Sequence, residues 1–235
     1  MAIENGSSSL ASSLTDLMTS LMVIFILLLV ATLNNAQQEG ETTRNAILKK
    51  LQERLSGEVN EYREQGFEIK NDPKDPLGLI VIVPDGLLNF AVNRADIPAA
   101  GVEFLQKIVP KMAATLCSEE FRREIESIVI EGHTDSTGSD ERNLQLSQER
   151  SLGVVQKSLR VLGGTATGDN QPNRECFLEL LSATGRGSVE PIRDQAGLED
   201  FNRSRRVIFK IRVRSLERRI VTEVTGNGET IDSNK

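Results

Sequence analysis

The sequence predicts an α/β protein: an α+β sandwich, with helices on one face of a small mixed sheet, preceded by a single transmembrane helix and a helical connector. Three observations predict it. An uncharged apolar run occupies Leu17–Leu33, LMTSLMVIFILLLVATL; apolar residues recur every four positions at Ile47, Leu51, Leu55 and Val59; and from Leu79 onward short apolar runs alternate with longer amphipathic stretches. The resulting division is 1–9 a short N-terminal segment, 10–34 the transmembrane helix, 35–76 the connector, 77–215 the folded domain and 216–235 a polar tail.

At 1.5 Å per residue the apolar run covers about 25 Å, and the Ser, Leu and Ala residues from Leu10 extend it across a hydrocarbon core of about 30 Å. A cleaved signal peptide fits less well, because Met1–Ser9 holds Glu4 but no Lys or Arg, and no A-x-A site comes after the run. No cysteine stands near it, which argues against a lipoprotein signal. Asp16 sits in the early turns, and Ser9, Ser12, Ser13, Thr19 and Ser20 share its face at helical spacing. A carboxyl at membrane depth is costly unless paired, hydrated or neutralised, so Asp16, Thr19 and Ser20 form a candidate ion-translocating set. Asp16 also fits an N-cap at headgroup level, and Ser8, Ser12 and Ser20 permit close helix packing. Arg44, Lys49 and Lys50 favour an inside C-terminus by the positive-inside rule, weakened by Glu39 and Glu41 among them.

In the connector, the stripe of Ile47, Leu51, Leu55 and Val59, with Leu48 and Tyr62 beside it, is narrow, and Gly40 and Gly57 weaken it. It fits a short coiled coil between two copies and a solvated surface helix equally. Asn71–Pro76 is a turn-rich break. Strands are then expected at Leu79–Val83, ending in Pro84-Asp85-Gly86, and at Leu88–Val92, Ser127–Glu131, Phe177–Ala183 and Val207–Val213. Helices are expected from Ile97-Pro98 to about Leu116 and over Glu141–Leu162, with a helical turn at Leu198–Asn202 and a Gly/Asn/Pro-rich loop at Thr165–Glu175. Cys117 and Cys176 each precede a strand; if those strands are parallel neighbours, both lie at one end of the sheet. A disulfide and two buried free thiols both remain open.

Composition narrows the function. The 235 residues carry 28 Lys+Arg against 34 Asp+Glu, a net charge of -6, which argues against a polyanionic partner such as nucleic acid. One histidine and two distant cysteines argue against a multi-His metal site or a CxxC zinc motif. With no nucleophile–base pair, P-loop or dinucleotide fingerprint, the chain does not read as an enzyme, and no cofactor is expected.

Ile130–Leu159, IEGHTDSTGSDERNLQLSQERSLGVVQKSL, is specific. It resembles the OmpA-like peptidoglycan-binding domain, whose pattern is matched at Gly132, His133, Thr134, Asp135, Gly138, Ser139, Asn143, Leu146, Ser147, Arg150 and Val154. Ser182–Pro191 and Asn202–Val207, NRSRRV, come next in the order the family has them, so the resemblance covers roughly Val83 to Val213. Ser151 and Ser204 depart from the family's Ala and Asn. The resemblance implies that Asp135 takes the ammonium and Arg150 the carboxylate of a diaminopimelate residue in a peptide stem. A single carbon bearing both charges needs one fixed anion and one fixed cation at short range. Asn143 and Thr134 would orient the ligand, with Leu146 and Ser147 shaping the helix face behind. His133 reads as structural.

A membrane helix with an early acid, a helical connector and this domain is an organisation similar to that of MotB-like stator subunits, and the short N-terminus looks most like the Zorya antiphage-defence branch. The resemblance implies a homodimer of this chain ringed by about five copies of a multispanning MotA- or ZorA-like subunit. It implies an inner-membrane location with a cytoplasmic N-terminus and periplasmic domain, and H⁺ or Na⁺ carried on Asp16. A flagellar-type stator subunit and a purely structural tether from membrane to peptidoglycan are the alternatives.

Overall fold

The computed structural model describes residues 5–164 and 171–215 and divides into two compact units, Met1–Asn45 and Ala46–Lys235. The tail 216–235, residues 165–170 of the expected loop, and the side chains of Ser8, Ser9, Ser12 and Ser13 lie outside the described residues. Helix α1, Asn5–Glu58, contributes to both units.

In the first unit, α1 is predominantly apolar over Leu14–Asn35, a stretch long and apolar enough to cross a membrane. Its large apolar side chains from Leu14 to Leu33 are 45–71% exposed. Asp16 lies two residues inside this stretch. The Thr19 hydroxyl donates to the carbonyls of Thr15 (2.7 Å) and Asp16 (3.0 Å), and Ser20 is exposed.

The second unit uses the remainder of α1 differently. Leu48, Leu51, Leu55 and Val59 are buried in the core, neither paired in a coiled coil nor solvated. The cause is a chain reversal at the C-terminal end of the helix. A 3-10 turn at Asn60–Gln65 carries Tyr62 edge-on to Phe104 (centroids 5.1 Å apart), and Gly66, at φ +85°, turns the chain back. The reversal begins strand β1, Glu68–Asn71, antiparallel to β2, Gly78–Pro84. β1 was not expected: four residues with two charges make no apolar pattern, and those charges suit an edge strand.

Where a strand was expected at Leu88–Val92, the chain forms α2, Asp85–Leu88, and turns at Asn89 and Asn93, both in the left-handed region. Helix α3 (Ala99–Leu116), strand β3 (Ile125–His133) and helix α4 (Asp140–Gly163) come next, close to expectation. The expected strand at Phe177–Ala183 is instead the end of α5, Gln171–Leu180, and the start of a shorter β4, Leu181–Gly185. Cys176, Phe177 and Leu180 face inward while Leu178 and Glu179 do not, a helical spacing that a short apolar run disguises. The short helix α6 (Phe201–Ser204) precedes β5 (Arg206–Val213).

The sheet order is β1-β2-β5-β3-β4, parallel between β3 and β4 and antiparallel elsewhere. Val207, Phe209, Ile211 and Val213 of β5 join the core with α3, α4 and α5, while Arg206, Lys210 and Arg212 alternate onto the other face. Cys117 and Cys176 form a disulfide, Cα atoms 6.1 Å apart. The bond ties the end of α3 to α5; the expected reason, two cysteines each preceding a strand, does not hold for Cys176.

Candidate functional site

The end of β3 must pass close beneath α4. A side chain on Gly132 would strike the Ser147 carbonyl, and one on Gly185 would meet Ser147 and Gln148, so the motif glycines permit the strand ends to lie against the helix. Ser147 completes the seam: its hydroxyl donates to the Leu144 carbonyl (2.8 Å) and accepts from the Gly187 N–H (2.9 Å). Leu146 is buried beside it.

Between β3 and α4, Asp135 closes an Asx turn, accepting from the Thr137 N–H (3.0 Å), and Ser139 caps α4 by accepting from the Arg142 N–H (3.3 Å). Asn143 fastens this loop from the helix, its amide donating to the carbonyls of Asp135 (3.2 Å) and Thr137 (3.1 Å). Thr134 donates its N–H to the Gly187 carbonyl (3.0 Å), while its buried hydroxyl makes no hydrogen bond among the described residues.

Arg150 is 4% exposed. It donates to the carbonyls of Arg94 (2.9 Å) and Ala91 (3.2 Å), lies 4.7 Å from the Phe90 ring centre, and reaches Asp85 at 4.0 Å. Sequence reasoning places Arg150 opposite Asp135, but in the structure Asp135 pairs directly with Arg205, Nη1 to Oδ2 at 2.6 Å. Arg205 also lies 3.7 Å from Asp85 and donates to Asn202 (2.6 Å). The result is an alternating chain of charge, Arg150, Asp85, Arg205, Asp135. Sequence reasoning misses Asp85 and Arg205 as site residues. In sequence Asp85 reads as a turn after β2 and Arg205 as the entry to a strand; the pairing of Pro84 with Arg206 brings these ends together.

Burial pushes the Asp85 carboxyl up, against the pull of Arg150 and Arg205. Asp135 goes the other way: burial raises it, but the hydrogen bonds from Arg205 and Thr137 outweigh burial and hold it below the ordinary carboxylate range. Burial likewise lowers Arg150, which stays a cation at neutral pH. His133 is buried and pushed down by desolvation, with its Nε2 3.5 Å from Glu131 but without hydrogen-bond geometry. It packs behind the loop. Two anions and two cations at one mouth suit a zwitterion, whose ammonium and carboxylate can replace each internal ion pair with an equivalent one.

Residues 89–205 match the family described as OmpA family. A relative named Zorya protein ZorB from Escherichia coli O139:H28 (strain E24377A / ETEC) is 33% identical over 155 residues, 61% of this chain and 58% of that protein. Zorya protein ZorB from Escherichia coli strain ATCC 8739 is 27% identical over 215 residues, 85% of this chain and 86% of the relative. The crystal structure of a putative MotB like protein from Desulfovibrio vulgaris superposes with a TM-score of 0.50 at 21% identity, covering 76% of this chain and 99% of that one, and shares the fold. The matched residues form an OmpA-like domain. Over most of its length the chain is similar to proteins named ZorB.

Proposed function

We propose that the chain is the inner-membrane, single-pass subunit of an ion-driven, stator-type complex in antiphage defence. Asp16 carries the translocated cation, and the C-terminal domain anchors the complex to peptidoglycan. The observation that carries the anchoring role is the convergence of Asp85, Asp135, Arg150 and Arg205 at one mouth. In the free protein Arg205 stands where a ligand's ammonium would sit. A diaminopimelate ammonium displaces it from Asp135, and the released guanidinium joins Arg150 in facing the carboxylate. Asn143 holds the loop in place, and the unpartnered Thr134 hydroxyl is available to the ligand.

Similarity to ZorB over 85% of the chain supports the defence assignment. Leu14–Asn35 supplies the membrane span. The Cys117–Cys176 disulfide belongs in an oxidising compartment and supports a periplasmic domain with a cytoplasmic N-terminus. Asp16, with Thr19 and Ser20 one turn on, supports a carried H⁺ or Na⁺, the hydroxyl setting favouring H⁺. The partners that complete the assembly are a second copy of this chain and a multispanning MotA- or ZorA-like ring.

The test is sedimentation of the tagged full-length protein, extracted in mild detergent from its own host, with purified sacculi. Wild type should co-sediment, Asp135→Asn should remain in the supernatant, and the multispanning subunit should copurify with both. Equal sedimentation of wild type and variant would overturn the anchoring role, and a chain purified without the multispanning subunit would reduce the protein to a tether.

A further inference from the structure

A cleft of about 480 Å³ opens beside the charged cluster and shares Asp85 and Arg205 with it. Ile82, Pro84 and Ile192 give it an apolar lining. Its charged lining comprises Glu68 and Asp85 against Lys70, Arg203, Arg205 and Arg206, an excess of cations. Most of these are already engaged. Lys70 pairs with Glu68 (2.9 Å), Arg206 donates to the carbonyls of Ser204 (3.0 Å) and Glu190 (3.1 Å), and Arg205 is held by Asp135 and Asn202. Arg203 differs. Its backbone N–H caps onto Asp200 (3.1 Å), but its side chain is exposed and enters no hydrogen bond or ion pair among the described residues.

We infer that this cleft is a second subsite, receiving the peptide that runs on from the zwitterionic residue at the cluster, with Arg203 taking the free carboxylate of the neighbouring residue. The inference rests on the peptidoglycan reading above and extends it. In a stem peptide the diamino acid is joined to a glutamyl residue through the γ-carboxyl, which leaves the glutamyl α-carboxylate free one residue away. A ligand held at Asp135 and Arg150 enters the cleft past the shared Asp85 and Arg205. The apolar lining suits the glutamyl methylenes and an alanyl methyl, and the unengaged guanidinium supplies a bidentate partner for the carboxylate.

The measurement is calorimetric titration of the full-length chain in detergent with two synthetic tripeptides, alanyl-γ-glutamyl-diaminopimelate with a free glutamyl α-carboxylate and the same peptide as its α-carboxamide. Wild type should bind the acid form about tenfold more tightly, the scale of one charge-assisted hydrogen-bonded contact. Arg203→Gln should erase that preference while leaving affinity for the amide form unchanged. Arg203 is exposed and packs no core, so the substitution leaves the fold intact. Equal binding of the two peptides by wild type, or a preference that survives in Arg203→Gln, overturns the inference while the anchoring role stands. Failure of wild type to bind either peptide overturns the anchoring role itself, and the subsite with it.

Discussion

The two portions of α1 share one helical backbone and opposite fates. From Leu14 to Leu33 every large apolar side chain is exposed, whereas Leu48, Leu51, Leu55 and Val59 are at most 3% exposed. The difference is one of pattern width. A helix that is apolar over most of its circumference suits lipid, while a helix with a narrow stripe needs one apolar surface and finds it in the domain core. Side chains of the first kind are left exposed by the chain, and those of the second are covered within it. The two acids obey the same division: Asp135 is locked by Arg205 and Thr137, and Asp16 sits in a helix segment whose apolar neighbours all point outward.

Three perturbations separate the two portions. The largest effect is expected at Asp16. Asp16→Asn should abolish ion flux in proteoliposomes containing the purified complex while leaving the melting transition and sacculus sedimentation of the C-terminal domain unchanged; sustained flux would remove Asp16 from the cation path. Next, Leu51→Ala should destabilise the domain by about 2–5 kcal/mol in chemical denaturation, because it opens a cavity in a fully buried site. Leu27→Ala, in the exposed stretch, should leave that transition unmoved. A comparable loss from both would show that the exposed stretch contributes to the same core.

The smallest effect concerns acid stability. Burial pushes the Glu190 carboxyl up, but hydrogen bonds from Lys74 (2.7 Å) and Arg186 (2.7 Å) overcome it and hold the pKa at about 2, below the ordinary 4.5. A depressed folded-state pKa adds stability above the unfolded value, and that stability is lost as pH falls from 4.5 toward about 2. Glu190→Gln should therefore cost about 1–2 kcal/mol at neutral pH and flatten the acid limb of the stability profile. An unchanged limb would assign acid sensitivity to other carboxylates, such as Asp135.

Much of the site was legible in the sequence because it is local. Thr134, Asp135, Ser139, Asn143, Leu146, Ser147 and Arg150 lie within one strand end, one turn and two turns of helix, and their spacing alone brings them onto one seam. What escaped is non-local. Arg205 is 70 positions from Asp135, and Asp85 reaches the cluster only through the pairing of β2 with β5. The expected contact between Asp135 and Arg150 is displaced for the same reason: carbonyls of Ala91 and Arg94, carried in by a loop whose sequence reads as a strand, occupy the guanidinium first.

By itself the sequence determined the order of parts: an apolar segment bearing one acid, an amphipathic extension, and alternating helices and strands around a specific motif. These depend on hydrophobic period and short-range spacing, which each segment carries alone. Only the tertiary structure decided where the Leu48–Val59 stripe is buried, that Cys117 meets Cys176 across α3 and α5, and that Arg205 rather than Arg150 closes on Asp135. Those outcomes depend on which surfaces and charges compete for one another after the chain has folded, and no local window contains both competitors.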